Sequence, residues 1–211
     1  SMLTALDFCS GGGGELLGVE AAGFTTVAAI DNDKAACRTL RKNRPNIQVM
    51  EADLRAVSGT DFRGVDMLAG GVPCPPFSVA GKQLGAEDDR DLFPEALRLI
   101  RQSRPGAVLL ENVPGFAASK FDAYRGDLIG QLERLDYWVD WRVLHASAYG
   151  VPQLRPRFIL VALRRRYARR FSWPRPTGKT MTVGQALSDL IGERGWLGTC
   201  LLYTSPSPRD R

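Results

Sequence analysis

Four consecutive glycines, Gly11 to Gly14, stand directly behind Ser10 and the apolar run Leu3-Thr4-Ala5-Leu6-Asp7-Phe8-Cys9. A strand that runs into such a loop brings bare backbone close to something, because glycine alone combines that approach with easy positive φ. A flexible turn, a dinucleotide loop and another nucleoside site all begin this way. The G-x-G-x-x-G spacing of a pyrophosphate loop is not cleanly met, which disfavours the dinucleotide.

The same alternation continues along the chain. Glu15 to Ala22 reads as a helix closed by Gly23, Thr25 to Ile30 as a strand, and Lys34 to Asn43 as a helix stopped by Pro45. Ile47 to Met50 and Val65 to Ala69 are further strands, the second leading into Gly70-Gly71. Asp91 to Arg104 is an amphipathic helix ended by Pro105, followed by the buried strand Ala107 to Leu110. Asp122 to Leu135 suits a helix, and Trp138 to Leu144 and Phe158 to Leu163 suit strands. Strand and helix in alternation predict an α/β fold, a doubly wound and mostly parallel sheet. Phe171 to Lys179 is loop-like, Thr182 to Leu190 forms one short helix, and Gly198 to Arg211 resembles no element. One domain over residues 1–190 is expected, with residues 191–211 the start of another region or a disordered tail.

Composition narrows the function classes. The 211 residues, 44% of them hydrophobic, suffice for one well-cored domain. No apolar run approaches the roughly 20 residues that span a bilayer, and Ser1-Met2-Leu3-Thr4 lacks a charged n-region. A cytoplasmic, nucleoid-associated protein without membrane contact is therefore expected. Cys9, Cys37, Cys74 and Cys200 form no CxxC pair and His145 is the sole histidine, so neither a metal site nor a disulfide framework is expected. The net charge of +5 is uneven, with Arg155, Arg157, Arg164, Arg165, Arg166, Arg169 and Arg170 inside sixteen positions. Such a cluster suits a polyanionic partner and equally a solvated face.

Two acids sharpen the glycine loop. Asp31, 24 positions after Asp7, closes the second strand, where a carboxylate accepts ribose hydroxyls. Asp53 follows the third strand and is placed for an adenine amine. Strand ends that converge in this way make a nucleoside crevice. Beyond the fourth strand, Gly70-Gly71-Val72-Pro73-Cys74-Pro75-Pro76-Phe77-Ser78 holds a cysteine between prolines, ahead of a polar loop to Arg90. That is the setting of a nucleophile beneath a lid rather than of a packed core thiol. Glu111, 37 positions after Cys74, ends the next strand, and adjacent parallel strands bring such residues to one crevice. A half-buried carboxylic acid there can donate to a ring nitrogen while a thiolate adds to the ring.

Pro73-Cys74-Pro75-Pro76-Phe77-Ser78, Glu111-Asn112-Val113 and Gln153-Leu154-Arg155-Pro156-Arg157 resemble the three central signatures of the cytosine-C5 DNA methyltransferase family of bacterial type. Asp7 to Gly14 resembles its cofactor loop, and Tyr149-Gly150-Val151-Pro152 precedes the arginine motif as the family pattern expects. The resemblance, from about Leu3 to about Leu190, implies a Rossmann-like S-adenosylmethionine-dependent methyltransferase fold. It implies methyl transfer to C5 of a cytosine swung out of double-stranded DNA, with S-adenosylhomocysteine as product. Cys74 would attack C6, Glu111 would serve N3, and Arg155 and Arg157 would hold the base and a phosphate. The cofactor would meet Asp7, Cys9, Gly11, Gly13, Asp31, Asn32, Asp53, Leu54, Gly71, Pro73 and Leu92. Ser78, Gln83, Arg90 and Gln153 would lie on the DNA side, together with Asn112, which more naturally braces the Glu111 loop. Cys9 departs from the pattern, since many relatives carry an aromatic there; the loss is about 1 kcal/mol of stacking.

The family's target-recognition region and its last motif have no counterpart before Arg211, so weak activity of the chain alone is expected. Alternatives are an RNA (tRNA) cytosine-C5 methyltransferase and a non-catalytic fragment or half of a split enzyme that needs a complementing chain. A nicotinamide oxidoreductase would leave Cys74, Glu111 and the arginine motif without a role.

Overall fold

The computed structural model describes residues 2–75 and 90–194. They divide into two compact units, one drawn from residues 2–75, 90–144 and 156–173, the other from residues 145–155 and 174–194.

The first unit is built on a seven-stranded sheet. Its strands are β1 (Leu3–Phe8), β2 (Phe24–Asp31), β3 (Gln48–Glu51), β4 (Met67–Gly71), β5 (Ala107–Asn112), β6 (Tyr137–His145) and β7 (Pro156–Arg164), in the order β3-β2-β1-β4-β5-β7-β6. The pairs β1–β2, β1–β4, β2–β3 and β4–β5 are parallel and β5–β7 is antiparallel. Strand order therefore reverses beside β1 and β4, the place where doubly wound sheets open a ligand crevice. The helices are α1 (Gly14–Ala21), α2 (Lys34–Asn43), α3 (Phe93–Ser103), α4 (Asp122–Arg134) and the single turn α5 (Arg165–Ala168).

Local chemistry sets the ends. Gly23, at φ 96°, turns the chain out of α1. Asp33 caps α2 by accepting the Ala36 N–H at 2.8 Å. Asp91 accepts the Phe93 N–H at 3.0 Å at the start of α3. The expected strands and helices of this unit are present, with ends displaced by one or two residues. Short 3-10 turns and α5 were not expected, and they lack the length that gives a periodicity to read.

Apolar strand interiors pack against α3 and α4 in one core. Phe116, fully buried, stacks on Phe93 with ring centroids 5.1 Å apart and meets Phe158 edge-on at 4.9 Å. Between β1 and β4 the contact is closer still. A Cβ at Gly70 would stand 2.4 Å from the Phe8 ring, so only glycine fits.

The second unit has its own local order. Ala146 donates to the Arg155 carbonyl at 3.1 Å and Thr177 to that of Ala148 at 2.9 Å. The helix α6 (Val183–Arg194) runs four residues beyond the expected Leu190. Thr182 and Gln185 form a reciprocal capping box at its start: Gln185 N–H donates to Thr182 Oγ1 at 3.2 Å, and Thr182 N–H to Gln185 Oε1 at 2.8 Å.

Candidate active site

The ends of β1 to β4 surround a crevice of about 430 Å³. Cys9, Asp31, Asn32, Asp53, Leu54, Gly71, Pro73 and Leu92, all expected at a cofactor, line it. Ile30, Ala52 and Arg55 complete the wall and were not anticipated. They are neighbours in sequence of the acidic strand ends, which is the signal that marks them. Arg90, expected over the DNA, also lines this crevice.

Asp7, Gly11 and Gly13 do not line the crevice and act behind it. Gly11, at φ 52°, donates its N–H to Asp31 Oδ2 at 2.7 Å, while Asp33 N–H holds Oδ1 at 2.8 Å. The loop and the acid thus fix each other, with lone pairs left for a ligand. A Cβ at Gly13 would meet Leu40 Cδ2 at 2.8 Å, so this glycine serves loop-to-helix packing. Asp53 is itself engaged by the Arg55 N–H at 2.9 Å and guanidinium at 3.0 Å.

Beneath the crevice lies a group of acids. Asp7 is 2% exposed; its Oδ1 accepts from Ser10 Oγ at 3.1 Å, and its Oδ2 has no partner among the described residues. Glu15 Oε1 is likewise buried and unpartnered among them. Burial pushes Asp7 up to about 7, with Ser10 opposing and Asp31 adding to the rise. Burial, then Asp7 and Glu111, push Glu15 up to about 8, against a Gly70 backbone hydrogen bond. Burial and the surrounding carboxylates, Asp31 foremost, push the Cys9 thiol up to about 12, so Cys9 is a neutral wall residue. Glu15 was missed in the sequence because a charge in a first helical turn usually reads as a dipole partner in solvent.

The catalytic candidates stand at the same end of the sheet. Glu111 pairs in register with Gly71, three residues before Cys74. A Cβ placed on Gly71 would stand 3.6 Å from Glu111 Oε2 and 3.9 Å from Glu15 Oε2, so this bare backbone sits among the acids. Arg157 Nε lies 2.5 Å from Glu111 Oε1. Arg157, expected to hold base or phosphate, is thus charge-paired to the acid. Asn112, grouped with the DNA-side residues, is 2% exposed and braces instead. Its Nδ2 donates to the Val72 carbonyl at 3.1 Å and its Oδ1 accepts the Val113 N–H at 2.7 Å, tying the Glu111 strand to the cysteine loop. Cys74 is exposed. Partial burial of its sulfur raises the thiol pKa, and the Lys120 ammonium pulls it back down. Arg155 and Gln153 belong to the second unit, both exposed. Ser78 and Gln83 lie outside the described residues. Among the described residues no group of His, Cys, Asp and Glu is arranged to hold a metal, and no helix is long and apolar enough to cross a membrane.

Residues 3–206 match the model of the C-5 cytosine-specific DNA methylase family. The chain belongs to that family. Among its methylase relatives, the type II methyltransferase M.NgoMIV of Neisseria gonorrhoeae is 50% identical over 196 residues, 92% of this chain and 63% of the relative. The type II methyltransferase M.NaeI of Lentzea aerocolonigenes is 48% identical over 93% of this chain and 48% of its own length. The chain thus spans about half to two-thirds of these curated methylases. In structure it is similar to a protein described as a DNA modification methyltransferase encoded within an Escherichia coli prophage, with TM-score 0.72, 26% identity and coverage of 88% of this chain and 54% of that one.

Proposed function

We propose that this chain is the cofactor-binding and catalytic part of an enzyme that methylates C5 of cytosine in double-stranded DNA, acting in the bacterial cytoplasm. The observation that carries the reading is the convergence of Glu111, its Arg157 partner and the Cys74 loop on the crevice wall at Gly71. The crevice fits S-adenosylmethionine: the acids at the second and third strand ends, Asp31 and Asp53, line it and suit the hydroxyls and amine of a nucleoside. Asp31, Asn32, Asp53, Leu54 and Leu92 would hold the nucleoside, and the loop from Cys9 to Gly13 the amino-acid end. When bound, the cofactor supplies an electrophilic methyl group.

The chain's own residues do the rest. The Cys74 thiolate forms a bond to C6 of an extruded cytosine, which makes C5 nucleophilic. Glu111 holds the proton at N3 that accepts the displaced charge, and Arg157 fixes its carboxylate. Once C5 carries the new methyl group, loss of its proton to solvent expels Cys74 as thiolate and restores the aromatic ring. Arg155 and Gln153 are assigned to the DNA, as are Ser78 and Gln83.

The test is calorimetry with S-adenosylmethionine alongside a methylation assay on duplex DNA containing 5-fluorocytosine, whose C5 fluorine cannot leave as a proton. Cofactor binding and a Cys74-dependent covalent adduct are expected. Absence of cofactor binding sinks the reading. Binding without an adduct replaces it with a core that needs a complementing chain for DNA recognition.

A further inference from the structure

The arginine cluster of the sequence divides in the structure. Arg157 serves the catalytic end of β7, and Arg164 lies at the other end, seven residues away or roughly 23 Å at about 3.3 Å per residue. Arg165 and Arg166 on α5, with Arg169 and Arg170 just after it, are exposed beside Arg164.

At that far end a cavity of about 240 Å³ is lined by four arginines, Arg101, Arg104, Arg134 and Arg164, with one acid, Asp136. Its floor is rigid. Arg164 donates to the Leu135 carbonyl at 2.6 Å and stacks over Tyr137 at 4.3 Å, and Tyr137 donates to the Pro105 carbonyl at 2.7 Å. Asp136 is engaged by Arg165 at 3.3 Å. Arg101, Arg104 and Arg134 form no ion pair among the described residues.

Backbone geometry marks the same place. Three non-glycine residues of the described chain have positive φ, and two of them, Arg104 at 54° and Asp136 at 68°, line this cavity. Both are helix C-terminal positions, Arg104 closing α3 and Asp136 just past α4, and their left-handed turns bring the two helix ends to one cavity. Arginines at the ends of α3 and α4 also complement the helix dipoles. Each dipole offers only about half a negative charge, so the guanidiniums keep an excess of positive charge after Asp136 is counted. The exposed arginines around α5 extend that charge beyond the cavity, which favours a long polyanion over an isolated phosphate.

We propose that this cavity is a phosphate site for a nucleic-acid backbone, holding a stretch of duplex other than the one presented to Cys74. Its effect is to keep the enzyme on DNA between catalytic encounters through sequence-independent contacts.

The test is fluorescence anisotropy with a short labelled duplex over a range of salt, on the wild-type chain and on Arg101→Gln/Arg104→Gln/Arg134→Gln. Affinity at low salt should fall about tenfold, and the slope of log K against log salt should shrink by about 0.9 for each phosphate no longer neutralised. S-adenosylmethionine binding and the melting temperature serve as controls for folding. Should the triple variant fail them, the exposed single substitution Arg134→Glu takes its place, with the slope expected to shrink by about 0.9 for the one phosphate lost. Unchanged affinity and slope in a folded variant overturn the proposal. So does a variant that loses inorganic pyrophosphate while keeping the duplex, which would assign the cavity to a small phosphate ligand.

Discussion

Arg157 Nε lies 2.5 Å from Glu111 Oε1, each side chain about one-quarter exposed. Removing the guanidinium leaves a half-buried carboxylate without its charged partner and without a fixed orientation. Arg157→Ala is therefore expected to lower methyl transfer about 100-fold and leave cofactor affinity within about twofold, read by single-turnover kinetics and calorimetry. An equal loss in both measurements would place Arg157 in the cofactor site instead.

Asp31 anchors two backbone N–H groups, Gly11 and Asp33, at the mouth of the crevice. Asp31→Ala frees both and removes an acceptor for the ribose. Cofactor Kd should rise by about 10- to 100-fold, corresponding to about 1.4–2.7 kcal/mol.

Glu15 and Asp7 bind protons in the folded chain that the unfolded chain has already released. Their raised pKa values mean that the stability they contribute is complete below the ordinary carboxylate range and drains away as pH rises to about 7 for Asp7 and about 8 for Glu15. Thermal melting should fall over that window, and Glu15→Gln should flatten the fall. If the variant kept the full wild-type pH dependence, Glu15 would not be the titrating group.

Because burial lifts the Cys74 thiol, its thiolate fraction grows with pH past the usual thiol range. The rate of covalent capture by 5-fluorocytosine DNA should rise accordingly, and Cys74→Ala should abolish capture while leaving cofactor binding in place. A capture rate already flat at neutral pH would show that bound DNA ionises the thiol by another route.

Phe116 ties together Phe93, Phe121, Tyr124 and Phe158. Truncation to alanine should cost about 3–5 kcal/mol, measured by denaturant unfolding.

Much of this was readable from the chain because strand ends in a parallel sheet carry its ligand chemistry. Asp31, Asp53, Gly71 and Glu111 could be placed from the apolar run before each of them. Other roles depend on partners far away in sequence. Arg157 meets Glu111 only because β7 lies antiparallel against β5, with Glu111 opposite Ile159, and no local pattern specifies that direction. Glu15 looks like a surface polar residue until the sheet buries it. The positive φ of Arg104 and Asp136 was equally hidden, since both positions commonly hold glycine or asparagine.

The space shared by Phe8 and Gly70 fixes the order in which this chain can change. An alanine at position 70 would collide with the Phe8 ring, whereas a smaller residue at position 8 merely leaves a void. The first step has to be taken in β1, at a cost in packing, before any side chain can enter position 70. Descendants of this sequence can reach such a pair by one route and not by the other, and the two strands beneath the crevice are bound into a common history.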